Sequence, residues 1–177
     1  MMNGRGTDAN RSQEWGNIER TTDVSSQKRE RLLPYTAEQL FDLAADVERY
    51  PEYLPWWIAA RIRKREANVY YTHQVLGLGP IRVSFGSKTV LQPPTRIDVT
   101  SKESPFQQFQ LSWNFAALAG TGCRVSLTAE FELRSLILQR ILDRVLPTAT
   151  ADIIAAFETR AHSLYERAGS SAKAPRD

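Results

Sequence analysis

Side chains able to transfer protons, attack a carbonyl or hold a metal ion are few in this chain. There are two histidines, His73 and His162, and one cysteine, Cys123. A metal centre or a nucleophilic triad needs several His, Cys or carboxylate groups converging, yet no HExxH, CxxC or GxSxG motif occurs, nor a glycine-rich phosphate loop. Both histidines therefore read as surface or hydrogen-bonded residues. Cys123 alternates with polar neighbours on a strand, where a thiol behaves as a small hydrophobe. No catalytic residue, metal or cofactor is expected, and a single cysteine excludes a disulfide framework. Reducing, intracellular surroundings follow as the expectation.

What the chain has in quantity is apolar and aromatic surface. Of 177 residues, 42% are hydrophobic and 10% aromatic, ample for one core. The net charge of +3, with a sequence pI near 9.2, permits an anionic partner without requiring one. No 18-residue apolar run and no apolar signal-peptide core occur, so a cytoplasmic protein, soluble or peripherally membrane-bound, is expected. Residues 1–23 and 169–177 are polar and read as disordered tails flanking one domain at 24–168.

The aromatic residues concentrate in Tyr50–Trp57, YPEYLPWW, between two prolines, and this segment reads as a loop. Tyr50, Tyr53, Leu54, Trp56 and Trp57 there either plug the domain or face something apolar, and a gate touching lipid is the favoured reading. The second concentration is Ser135–Arg167. Apolar residues at Leu138, Leu142, Val145, Ala149, Ile153, Phe157 and Ala161 follow helical spacing, which predicts a helix about 45 Å long at 1.5 Å per residue. Pro147 predicts a kink or a break, with Leu136–Leu146 as a separately oriented segment. Arg140 and Arg144 flank its apolar surface, as on a helix lying against anionic lipid; a solvated face is the alternative.

The elements between must position these segments. Thr36 and Gln39 form a capping box that starts a helix from Ala37 to about Val47. A marginal strand is expected at Val24–Leu33. From Ile58 to Leu133 the period changes to two: Ile58, Ala60 and Ile62 share one strand face, and Val69, Tyr71, His73 and Val75 another. Turns follow at Gly77–Pro80 and Pro93–Pro94. The clearest strands carry Phe109, Leu111, Trp113 and Phe115, then Cys123, Val125, Leu127, Ala129 and Phe131, all inward, with Ser112 on a wet face that tolerates charge. The result is an α+β domain in which the long helix covers an antiparallel meander, leaving a hollow suited to an apolar ligand.

The run AEQLFDLAADVERYPEYLPWW, with VLQPPTRIDV, SPFQQFQLSWNF, VSLTAEFELRS and AAFETRA, resembles the coenzyme Q-binding branch of the START, or polyketide cyclase-like, helix-grip superfamily. The resemblance spans roughly Gln27–Arg167. It implies a curved sheet wrapped around the C-terminal helix and a non-enzymatic role in carrying or presenting a ubiquinone-type polyprenyl quinone to respiratory or quinone-biosynthesis proteins, in contact with the inner membrane. Phe85, Phe109, Leu111, Trp113, Val125, Leu127, Phe131, Ile153 and Phe157 are the residues expected to line such a cavity, with filling the core as the alternative. The mouth would combine the aromatic loop with Leu138, Arg140, Leu142, Arg144 and Val145. A bacterial branch named ribosome-association toxin, RatA, ranks second, with Arg61, Arg63, Lys64 and Arg65 as the basic surface, and a cyclase or aromatase ranks third. Pro147 and Trp57 depart from the family pattern.

Overall fold

The computed structural model describes residues 24–78 and 81–171. Seven strands, β1 (Ser25–Leu33), β2 (Trp57–Glu66), β3 (Val69–Leu78), β4 (Ile81–Gln92), β5 (Arg96–Ser101), β6 (Phe106–Ala117) and β7 (Cys123–Leu133), form one antiparallel sheet in the order β1-β7-β6-β5-β4-β3-β2. Between β1 and β2 lie α1 (Ala37–Ala45), a 3-10 turn (Val47–Arg49) and α2 (Tyr50–Tyr53); α3 (Leu136–Ser171) closes the chain. This is the expected α+β helix-grip architecture. The expected tail at 1–23 and part of the Gly77–Pro80 turn lie outside the described residues, as do residues 172–177 of the tail expected at 169–177, whose first three residues instead continue α3 to Ser171.

The capping box is present: the Gln39 amide donates to Thr36 Oγ1 at 3.3 Å, and Thr36 N donates to Gln39 Oε1 at 3.0 Å. YPEY is a helical turn rather than a loop, because Pro51 sits in its first turn, where a missing amide proton is no loss.

Two strands depart from the expected phase. On β3 the buried residues are Tyr70, Thr72 and Gln74, so Val69, Tyr71, His73 and Val75 face outward. The polar members are satisfied: Gln74 accepts from Trp57 Nε1 at 2.7 Å and donates to Thr72 and Ser87. A polar residue with all its partners is as comfortable inside as an apolar one, so hydrophobicity alone misassigns this face. On β2 a bulge between Trp57 and Ala59 turns Ile58 outward, 45% exposed. Ile58 lies against Gly77, where a Cβ would meet it at 2.7 Å.

The break expected at Pro147 is absent, and α3 runs through it. Proline leaves the Asp143 carbonyl without its helical donor. Side chains stabilise the irregular turn: Thr150 Oγ1 donates to the carbonyls of Leu146 and Pro147, and Arg29 of β1 donates to Pro147 O at 3.2 Å. Ser25 of β1 also bonds Asp143, and Arg31 pairs with Glu158. Sheet contacts therefore support the helix through a residue that would end an isolated one.

Ser112 does lie on the outer face, yet it is 5% exposed and donates to Asp98 at 2.6 Å. Burial alone would raise the Asp98 carboxyl, but hydrogen bonds from Arg96 and Ser112 and the Arg96 charge outweigh it and hold the group below its ordinary value. A depressed carboxylate contributes stability that is present above its unfolded-state value and lost as pH falls through its folded-state value. Asp98→Asn should therefore flatten the acid limb of the stability curve below about pH 4. Urea midpoints measured at pH 7 and at pH 3 check this; an unchanged slope would remove Asp98 from the account.

Candidate functional site: a cavity between sheet and helix

A cavity of about 460 Å³ lies between the sheet and the first half of α3. Phe106, Phe109 and Leu111 of β6 and Ala129, Phe131 and Leu133 of β7 form its floor, with Leu76 and Val83 at one side. Leu138, Ile141, Leu142, Val145, Ala149, Thr150 and Ile153 form the roof at helical spacing, and Trp56, Trp57 and Pro105 complete the rim. Ser135 starts the roof helix, its hydroxyl accepting from Leu138 N at 3.4 Å. Four phenylalanines of the floor region, Phe85, Phe106, Phe109 and Phe131, contact one another with ring centroids 5.0–6.1 Å apart.

Among the described residues, none that lines the cavity carries an ionisable side chain. The Thr150 hydroxyl is spent on the helix backbone and the Trp57 N–H on Gln74. Trp56 is strained, at φ 74°, a region non-glycine residues rarely occupy, and is held there by a 2.8 Å bond from Gly77 N to its carbonyl. Its buried Nε1 has no partner among the described residues. Such a lining can desolvate and enclose an uncharged molecule, and it offers no side-chain acid or base.

Of the expected walls, Phe109, Leu111, Phe131 and Ile153 line the cavity. Phe85, Trp113, Val125, Leu127 and Phe157 do not; they are 0–1% exposed and packed solid beside it. The rings of Trp113 and Phe157 lie 4.8 Å apart, so the C-terminal half of α3 meets the sheet directly and leaves no space there. Of the expected mouth, Trp56, Trp57, Leu138, Leu142 and Val145 reach the cavity, and Arg140 and Arg144 stand exposed beside it. Tyr50, Tyr53 and Leu54 do not form a gate. Tyr50 and Leu54 are each 4% exposed; Tyr50 donates to Ala44 O, and Tyr53 lies under Arg160 at 5.5 Å. Burial pushes both phenols well above their ordinary range, so they stay neutral. Sequence reasoning missed Leu76, Val83, Phe106 and Leu133, all apolar residues at or near strand ends, whose signal was only their type.

His73 bonds Ser84 at 2.8 Å on the outer face, and His162 meets Tyr35 at 2.7 Å and Glu166 at 3.0 Å on α3; neither lines the cavity. Cys123 is fully buried, as expected of a small hydrophobe. Among the described residues no His, Cys, Asp and Glu cluster of metal-binding form occurs, and no helix is long and apolar enough to cross a membrane.

The chain is 31% identical over 138 residues to the Pseudomonas aeruginosa protein named ribosome association toxin RatA, covering 78% of this chain and 96% of that one. Xenopus laevis coenzyme Q-binding protein COQ10 homolog B is 22% identical and 58% covered, so the RatA-named relative stands nearer, the reverse of the order the resemblance implied. In fold, the Zhui aromatase/cyclase of a Streptomyces species superposes with a TM-score of 0.68 at 14% identity, over 78% of this chain and 94% of that one. The family model described as polyketide cyclase / dehydrase and lipid transport matches residues 33–158, across α1, strands β2 to β7 and the whole cavity roof, and the chain belongs to that family.

Proposed function

We propose that this protein binds one uncharged, hydrocarbon-rich molecule between sheet and α3, and acts by holding it or handing it on without changing it chemically. The apolar cavity, with no ionisable group in its lining, carries the reading. A ubiquinone-type polyprenyl quinone, ring and isoprenoid tail together, suits aromatic and aliphatic walls, and respiratory or quinone-biosynthesis proteins would receive it. Organic extraction of protein made in a quinone-producing host, followed by mass spectrometry, tests this. Absence of stoichiometric lipid, with tryptophan fluorescence unmoved by added quinone, would reject it.

Exchange with the inner membrane at the cavity mouth belongs to this reading. Leu136 and Ile137 are 79% and 74% exposed at the start of α3, just before the cavity-lining Leu138, Ile141 and Leu142. Each inserted aliphatic side chain would contribute roughly 1.5–3 kcal/mol and each nearby arginine about 1 kcal/mol on an anionic surface. Leu136→Asp with Ile137→Asp should therefore reduce binding to anionic liposomes more than tenfold at unchanged stability, while Arg140→Gln matters only at low salt. Undiminished liposome binding by the double variant would remove the mouth from the account.

A second reading, association with the ribosome, is favoured by the name of a relative 31% identical over nearly its whole length. Co-sedimentation of the purified chain with ribosomal particles tests it directly. The two readings are compatible, since the cavity and the exposed sheet face are separate surfaces.

A further inference from the structure

The outer face of the sheet, opposite the helices, divides by charge. Strand alternation places Tyr71 and His73 of β3 and Arg82, Ser84 and Lys88 of β4 on that face, and the register sets Arg61 of β2 against His73 and Lys64 against Tyr71. Lys88 pairs in turn with Thr100, and Thr100 with Gln110. Arg61, Arg82, Lys88 and Lys102 are all exposed, and none meets a carboxylate within ion-pair distance among the described residues. Lys64, by contrast, is paired with Glu66 and rides over the Tyr71 ring at 5.8 Å. Of the acidic residues on this face, Glu130 and Glu132 lie on β7 opposite Gln110 and Gln108, while Glu66 on β2 and Asp98 on β5 are each paired with a cation, Lys64 and Arg96.

Between the two halves runs an open groove of about 480 Å³, lined by Tyr71, Lys88, Thr100, Lys102, Gln108 and Gln110 among others. Its carboxylate, Glu103, is turned onto the Gly86 amide at 2.7 Å, where β5 has ended and the β5 side of β4 is unpaired. Arg134 donates to Lys102 O at 3.2 Å and adds a cation at the end of the groove.

We propose that this basic half, with Lys88 and Lys102 lining the groove and Arg61 and Arg82 elsewhere on the same face, is a docking surface for the phosphate backbone of RNA. The inference rests on the ribosome reading and names the surface and chemistry that would serve it. Charge complementarity to a polyanion is one argument. The other is what separates the cations: Ser84, Thr100, Gln108 and Gln110 hydrogen-bond to phosphate and sugar but insert nothing into lipid. A lipid surface would engage the aliphatic start of α3 instead, so a membrane is the outcome this argument excludes.

The test uses the full chain, a labelled 20-nucleotide RNA and purified ribosomal particles, at 50 and 200 mM salt. The variant combines Arg61→Gln, Arg82→Gln, Lys88→Gln and Lys102→Gln. All four side chains are exposed, so its thermal midpoint and its uptake of a neutral apolar probe should match wild type. It should lose at least tenfold in RNA affinity at 50 mM salt, with a salt slope shallower by about 3 at roughly 0.7 per lost phosphate contact. Co-sedimentation should fall in parallel. If wild type co-sediments and the variant does so equally, this surface is wrong and the ribosome reading stands. If wild type neither co-sediments nor binds RNA, the ribosome reading fails and takes the inference with it. Loss of binding to anionic vesicles with RNA binding intact would overturn the proposal in favour of a membrane.

Discussion

Trp113→Ala is expected to cost about 3–5 kcal/mol, enough to leave a domain of this size marginal at 37 °C. Trp113 is 0% exposed at the centre of β6, tilted against Phe157 of α3 at 4.8 Å and stacked with Phe115 at 6.3 Å. Removing the indole opens a void where sheet and helix meet directly, and the rigid neighbours cannot collapse into it. Urea unfolding at constant m-value measures the loss; a shift below about 1 kcal/mol would mean that this junction is not the core. Ser112→Asp makes an instructive partner. Its aspartate would stand beside Asp98 in place of a hydroxyl that donates to it, so a loss on the order of 1–3 kcal/mol is expected. Sequence alternation alone predicts silence there.

Ala149→Trp should separate ligand binding from folding. Ala149 is half-buried on the roof of the cavity, one turn before Ile153, and its methyl group borders empty space. An indole there would occupy volume that a ligand needs, with a stability cost at or below the 1–3 kcal/mol typical of overpacking, because the space already exists. Affinity for the neutral probe N-phenyl-1-naphthylamine should drop at least a hundredfold, about 2.7 kcal/mol, and the purified variant should yield no extractable lipid. Probe binding equal to wild type would show that the apolar molecule sits elsewhere. An early-melting variant would be replaced by Ala149→Phe, with the same readout.

The fold was largely legible in the chain because its signals are local. Period-two alternation from Ile58 to Leu133 located six of the strands, and the Thr36 and Gln39 box located α1. Helical spacing after Ser135 located α3, and the weakly patterned first strand formed as expected. The misreadings share one cause. Val69 to Val75 was phased by hydrophobicity, whereas the interior of β3 is a hydrogen-bonded set of Trp57, Thr72, Gln74 and Ser87 whose mutual satisfaction no single strand reveals. A loop between two prolines predicts that the Tyr50 and Tyr53 rings form a gate; with Pro51 opening a helical turn, the same rings turn inward.

The site was legible only as a face. Alternation places Phe109, Leu111, Trp113, Phe131 and Leu127 on one side of the sheet, yet Trp113 and Leu127 are packed solid while the other three border empty space. That difference depends on how far α3 stands from each point of the sheet, a distance set by the whole molecule. Arg29, Ser25 and Gln139 tie the first half of the helix to β1 at one edge, while Phe157 pins the second half against Trp113. Sequence by itself determined which segments are strands and helices and that one sheet face is dry, because backbone period and capping are properties of neighbours along the chain. Only the tertiary structure decided where that dry face stays open, that Pro147 does not break α3, and that Arg61, Arg82, Lys88 and Lys102 share one face without carboxylate partners, because each depends on contacts between residues far apart in the chain.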